Sequence, residues 1–90
     1  MTSLKTPRPA TDYRLAKLDK EILLYHPTKT KTLHLDETAS LIWRLCDGRR
    51  TVGEITELLQ EAFPDAAATI GDDVESTLRY LEAQEAVEFV

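Results

Sequence analysis

The chain has 90 residues, 42% of them hydrophobic and 30% charged, a length that suits one small domain and a mixture that is globular rather than disordered. Its net charge of −5 argues against duplex DNA as a partner, and its single cysteine, Cys46, excludes an internal disulfide and fits a reducing, cytoplasmic setting. No apolar run approaches the roughly 20 residues needed to cross a bilayer, and the start lacks the apolar stretch of a signal peptide.

Charge is divided along the chain. Residues 1–35 hold seven Lys/Arg against three Asp/Glu, a formal +4; residues 36–90 hold four against thirteen, a formal −9. The hydrophobic period changes at the same point, so the halves read as two layers of one domain.

Residues 1–12 carry Pro7 and Pro9 without periodicity and are expected to form a flexible N-terminal arm, ahead of a domain over 13–90. Tyr13–Leu18 alternates as a strand does, and Asp19-Lys20 supplies its turn. Glu21–His26 contains the run Ile22-Leu23-Leu24-Tyr25, which suits a central strand covered on both faces; a buried turn of helix fits the same run. Pro27 ends it by removing a ladder donor. Lys31–Leu35 alternates again, with Leu33 and Leu35 on the core face and Thr32 and His34 opposite. Short connections make these three strands an antiparallel meander with the third at its edge.

Helical spacing begins after Asp36, an N-cap residue. Ala39, Ile42, Trp43 and Cys46 share one face of the first helix, and Asp47-Gly48 stops it. Thr51-x-x-Glu54 is a capping box opening a second amphipath through Val52, Ile55, Leu58, Leu59, Ala62 and Phe63. Asp65–Gly71 reads as a connection. Asp72-x-x-Glu75 resembles the cap of a third helix with Val74, Leu78 and Leu81 inward, and residues 86–90 read as a short closing strand. The expected class is α+β: a three-stranded antiparallel sheet followed by a three-helix bundle.

Little in the chain is reactive. His26, His34 and Cys46 match no metal-ligand spacing, and Cys46 falls on an apolar helix face that disfavours a thiolate. The glycines begin no phosphate-binding loop. Trp43 reads as core, and Glu54, Glu57 and Glu61 as a solvated face. No enzymatic activity, cofactor or metal is expected. What stands out is the edge strand. Lys29 and Lys31 fit charges that protect such an edge, and the edge itself fits the addition of an extended peptide as one more strand.

The run Leu35-Asp36-Glu37-Thr38-Ala39, continued by Leu41-Ile42-Trp43-Arg44-Leu45-Cys46-Asp47-Gly48, resembles the first-helix signature of PqqD-like proteins. Arg49-Arg50-Thr51-Val52-Gly53-Glu54-Ile55 resembles the family's link and second-helix start, and Val74, Leu78, Leu81 and Ala86-Val87 match its third-helix spacing. The resemblance covers about residues 13–88. It implies a winged-helix-turn-helix-like fold and a non-catalytic peptide-recognition element. Such an element binds the leader of a ribosomally synthesised precursor peptide between the third strand and third helix. It presents the leader to a modifying enzyme, such as a radical SAM enzyme, a leader peptidase or a cyclase. Thr77 stands where many members have a large apolar residue, and Glu85 where many have glycine.

On this reading the backbone of Lys31, Thr32, Leu33 and His34 pairs with the leader, with Leu33 helping to floor the groove. Asp73, Thr77 and Tyr80 form one stripe of the third helix, with Ser76 and Arg79 on its other side. The Tyr80 stripe is preferred as the groove wall. Lys29 and Lys31 would favour an acidic leader. No nucleic-acid or membrane partner is expected. The rival functions are a winged-helix nucleic-acid binder, for which Glu75 and Glu82 make a poor phosphate surface, and a regulatory subunit that grips a partner protein's tail.

Overall fold

The structure, a computed structural model, describes residues 4–90. In chain order these are β1 (Pro7–Pro9), β2 (Arg14–Leu18), β3 (Glu21–His26), β4 (Lys31–Leu35), α1 (Glu37–Leu45), α2 (Val52–Ala62), one 3₁₀ turn (Pro64–Ala66), α3 (Ala67–Ala83) and β5 (Val87–Phe89). β2, β3 and β4 form the expected antiparallel meander in that spatial order, and β1 pairs with β5 in a separate two-stranded sheet. The molecule is thus α+β, with a three-stranded antiparallel sheet and three helices.

The hairpin turns sit where the chain can take a positive φ. Asp19 has φ 59° in the two-residue turn that pairs Leu18 with Glu21. Thr30 has φ 53° at the end of the longer turn that pairs His26 with Lys31. Cross-strand register then places Ile22 beside Leu35 and Leu24 beside Leu33, all on the core face. β3 is central but covered on one face only. Leu23 is half-buried and Tyr25 is 42% exposed, because α1 packs against the other side.

Each helix begins as its residues dictate, except the last. Asp36 Oδ1 accepts from the Ala39 N–H at 2.8 Å. Thr51 and Glu54 make a reciprocal capping box, each side chain accepting from the other's backbone N–H. α3, by contrast, starts at Ala67 rather than at Asp72, and Gly71 lies inside it. Ile70 explains the early start: it continues the buried row Val74, Leu78, Leu81 by one turn and is 6% exposed. Burial of an isoleucine is worth about 1.5–3 kcal/mol, more than the roughly 1 kcal/mol that a helical glycine costs relative to alanine.

Of the flexible N-terminal arm expected over residues 1–12, the first three residues lie outside the described ones, and Pro7–Pro9 is a strand. Pro7 is fully buried, and Pro7–Pro9 pairs with β5. The Gly48 N–H donates to the Pro7 carbonyl at 2.8 Å, and the Val52 N–H to the Lys5 carbonyl at 2.8 Å, so the strand also closes the α1–α2 link. Gly48 has φ 79°, and a Cβ there would lie 3.2 Å from Arg8 Cβ, so glycine serves both the turn and the close approach. Prolines are tolerated because of alternation. Val90 N–H donates to Thr6 and Ala10 N–H to Ala86, which makes positions 6, 8 and 10 the hydrogen-bonded ones. Pro7 and Pro9 occupy the positions between, where no donor is missed.

Candidate functional site

β4 is the outer strand of its sheet, and its free side looks across a groove to α3. The groove has a volume of about 290 Å³ and is lined by His34, Leu35, Asp36, Ala39, Ser76, Thr77 and Tyr80. At one end there is no loop between β4 and α1: Asp36 caps the helix, and Ser40 Oγ donates to the Leu35 carbonyl at 3.0 Å. These two bonds tie the strand end to the first turn of α1. At the other end Lys29 Nζ, on the β3–β4 turn, lies 2.5 Å from Glu85 Oε2, just past α3. This ion pair raises the Lys29 pKa and holds the Glu85 carboxyl below its usual range; in both cases the mutual hydrogen bond is the main cause.

The residues singled out from sequence divide. His34, Thr77 and Tyr80 meet in the groove, Tyr80 being 44% exposed. Thr32 is exposed and Lys31 half-buried on the same strand. Leu33 is 3% exposed within the hydrophobic core and is not part of the groove wall. Lys29 is held by Glu85 rather than free for a ligand. Asp73 lines a neighbouring cavity between the helices. Leu35, Asp36 and Ala39 are additions. Their signal was the strand running straight into an N-cap, which leaves the first helical turn nowhere else to sit. Ser76 joins the wall from the flank that was not preferred, whereas Arg79 is paired with Glu75 at 2.5 Å.

The polar groups nearby have structural partners. His34 Nε2 is 2.5 Å from Glu21 Oε1 across the sheet face. His26 is buried; its Nδ1 accepts from the Lys29 N–H at 3.1 Å, and its ring meets Tyr13 edge-on at 5.1 Å. Tyr13 donates to the Gln84 carbonyl at 2.7 Å, and burial raises its pKa. Cys46 is buried, and desolvation pushes its thiol up to about 12, out of reach for nucleophilic chemistry at neutral pH. Among the described residues no three His, Cys, Asp or Glu side chains cluster as a metal site would require. The arrangement can offer an extended chain backbone hydrogen bonds from β4 and a side-chain wall from α3. Of its titratable side chains, His34 is paired with Glu21 and Asp36 caps α1.

The chain matches the family described as Coenzyme PQQ synthesis protein D (PqqD) over residues 21–87. It is 41% identical over 66 residues to the PqqA binding protein of Klebsiella pneumoniae (strain 342), covering 70% of this chain and 68% of that protein. It is 32% identical over 92 residues to the PqqA binding protein of Rahnella aquatilis, covering 99% and 93%. Among solved structures it is similar to TbiB1 in complex with the TbiA(beta) leader peptide, with a TM-score of 0.78, 25% identity, and coverage of 90% of this chain and 94% of that one.

Proposed function

The chain belongs to the PqqD family, and from that premise we propose that it binds the leader segment of a ribosomally synthesised precursor peptide as a strand added to β4. It is a non-catalytic peptide chaperone. The observation that carries this reading is the groove itself, an open strand edge facing the Thr77–Tyr80 wall of α3. Backbone bonds to β4 supply affinity that tolerates sequence, and the α3 side chains supply selection. The PqqA-binding relatives and the leader complex of the similar fold support the same assignment.

The bound leader is presented to a modifying enzyme, a radical SAM enzyme, a leader peptidase or a cyclase, in the cytoplasm where the precursor is made. The groove residues in this role are Lys31, Thr32, Leu33 and His34 through their backbone, and Thr77 and Tyr80 through their side chains. Lys29 acts by holding the turn against Glu85. The three strands and three helices form a winged-helix-like unit, but α3 is a poor reader of nucleic acid. It carries Asp72, Asp73, Glu75 and Glu82, and its Arg79 is paired with Glu75.

Titration of the ¹⁵N-labelled chain with synthetic PqqA of Klebsiella pneumoniae tests the assignment. Saturable 1:1 shifts over residues 31–35 and 76–80 are expected. Shifts that saturate elsewhere, or tight binding to duplex DNA at physiological salt, would overturn it.

A further inference from the structure

Beside the groove lies a second cavity, of about 290 Å³, between α1, α2 and α3. Its wall is apolar: Leu41, Ile42, Phe63 and Ile70, with Phe63 47% exposed at the mouth. Glu37 and Asp73 stand among its lining residues; Glu37 lies 3.9 Å from Lys20 Nζ, whereas Asp73 has no salt-bridge partner among the described residues. A volume at the low end for ligand sites suits one large side chain rather than a cofactor.

We infer that this cavity is a second subsite for the same peptide, taking one large apolar side chain that is followed or preceded by a Lys or Arg. The inference rests on the proposed strand addition to β4. Continuity with the groove carries it. On α1 the groove touches Asp36 and Ala39 while the cavity touches Glu37 and Thr38, residues of one helical turn. On α3 the groove touches Thr77 and the cavity Asp73, one turn apart. β4 and α3 run in opposite directions, since Lys29 meets Glu85 while Leu35 shares the groove with Ser76. A peptide that follows β4 past Asp36 therefore arrives at the cavity. From Tyr80 to Ile70 is ten residues of α3, about 15 Å at 1.5 Å per residue. An extended chain at roughly 3.3 Å per residue covers that in four to five residues. The unpaired Asp73 carboxylate sets the charge of the neighbouring residue, and the formal −9 of residues 36–90 attracts a cation from further away.

The test uses the full chain and synthetic PqqA of Klebsiella pneumoniae. With wild-type protein, ¹⁵N shifts should appear both at residues 31–35 and at Leu41, Phe63, Ile70 and Asp73. Phe63→Ala should weaken the peptide about tenfold while leaving the shifts at 31–35 in place. Asp73→Asn should weaken it less and flatten its salt dependence. Phe63 is half-exposed, so the variant should fold, and circular dichroism checks that it does. Shifts at 31–35 with none at the cavity, or unchanged affinity in Phe63→Ala, overturn the second subsite and leave strand addition standing. Loss of shifts at both places overturns the reading on which it rests. Concentration-dependent dimerisation abolished by Phe63→Ala would give the cavity to a second copy and also overturn the inference.

Discussion

Lys29 Nζ lies 2.5 Å from Glu85 Oε2, and Glu85 holds a φ of 59°. One contact thus joins the turn that starts β4 to the left-handed residue that ends α3. Together with the Asp36 cap it sets both ends of the groove. A charged residue thus occupies a left-handed position, and the strained backbone there accompanies a cross-groove tether.

The strain and the tether can be separated. Glu85→Gly relieves the positive φ but loses the ion pair; Glu85→Ala loses the pair and keeps the strain. An exposed ion pair contributes little, so the backbone effect should win. We expect Glu85→Gly to raise Tm by on the order of 3 °C over wild type and Glu85→Ala to lower it. Scanning calorimetry of the three proteins decides the order. Glycine melting below alanine would show that strain at this position is negligible.

The same pair has a pH signature. The Glu85 carboxyl titrates below its ordinary 4.5, mainly because Lys29 donates to it, and Lys29 titrates above its ordinary 10.5 for the reciprocal reason. A depressed acid contributes stability that is present above its unfolded value and is lost as pH falls through its folded one. A raised base contributes stability that is lost as pH rises through its folded value. Wild type should therefore melt above Glu85→Gln at neutral pH, with the difference closing as pH drops below 4.5. It should close also in 1 M salt, where screening reaches about 3 Å. A difference that widens in acid would contradict the assignment.

β1 makes a sharper prediction than its two prolines suggest. Only Arg8 stands at a hydrogen-bonded position between them, and its guanidinium holds Glu88 at 3.0 Å. Arg8→Pro should remove one ladder bond, about 1 kcal/mol, and lower Tm by roughly 4–8 °C. Pro9→Val, at an exposed position without a ladder bond, should change Tm by much less. Equal effects would mean that β1 does not pair with β5 in solution.

Much of this fold can be read from spacing. Leu33 and Leu35 alternate with exposed neighbours, and Thr51 with Glu54 announces a helix start, because local geometry alone decides both. The parts that could not be read depend on contacts distant in sequence. Pro7 and Pro9 look like marks of a loose arm until β5, some eighty residues later, supplies the register that spares their missing donors. The start of α3 is hidden in the same way. Gly71 and Asp72 read locally as a break and a cap, whereas the burial of Ile70 against the other helices extends the helix through them. In the groove, the strand follows from periodicity, whereas periodicity leaves open which flank of α3 faces it: Ser76 joins Thr77 and Tyr80, and Asp73 does not. Nor does periodicity give Leu35 as a wall residue, since the same side chain also serves the core.

Gly71 offers a direct check on that early start. No atom outside its own helix lies within 4 Å of where its Cβ would be. In an open helix interior, Gly71→Ala should stabilise by about 0.5–1 kcal/mol, a rise of several degrees in Tm. If residues 65–71 were instead a connection with φ above zero at Gly71, alanine would destabilise, so the sign of the shift in a urea melt separates the two.

The peptide geometry makes the most discriminating prediction. Along an edge strand, N–H groups point alternately to the neighbouring strand and to open solvent. A proline scan over Thr32, Leu33, His34 and Leu35 should therefore show a period of two. Two alternate positions remove a donor facing the groove. They should weaken synthetic PqqA about fivefold or more, the worth of one hydrogen bond at roughly 1 kcal/mol, with further loss from the fixed φ. The other two remove a donor to β3 and should lower Tm instead, since β3 lies at the centre of the sheet. Tyr80→Ala belongs with the first set: the ring is 44% exposed, so affinity should fall while Tm holds. Fluorescence anisotropy gives affinity, and thermal melts on the same samples give stability. An affinity loss that tracks stability at every position would mean the peptide needs only a folded domain. Alternation out of phase with stability is the signature of a strand added to β4.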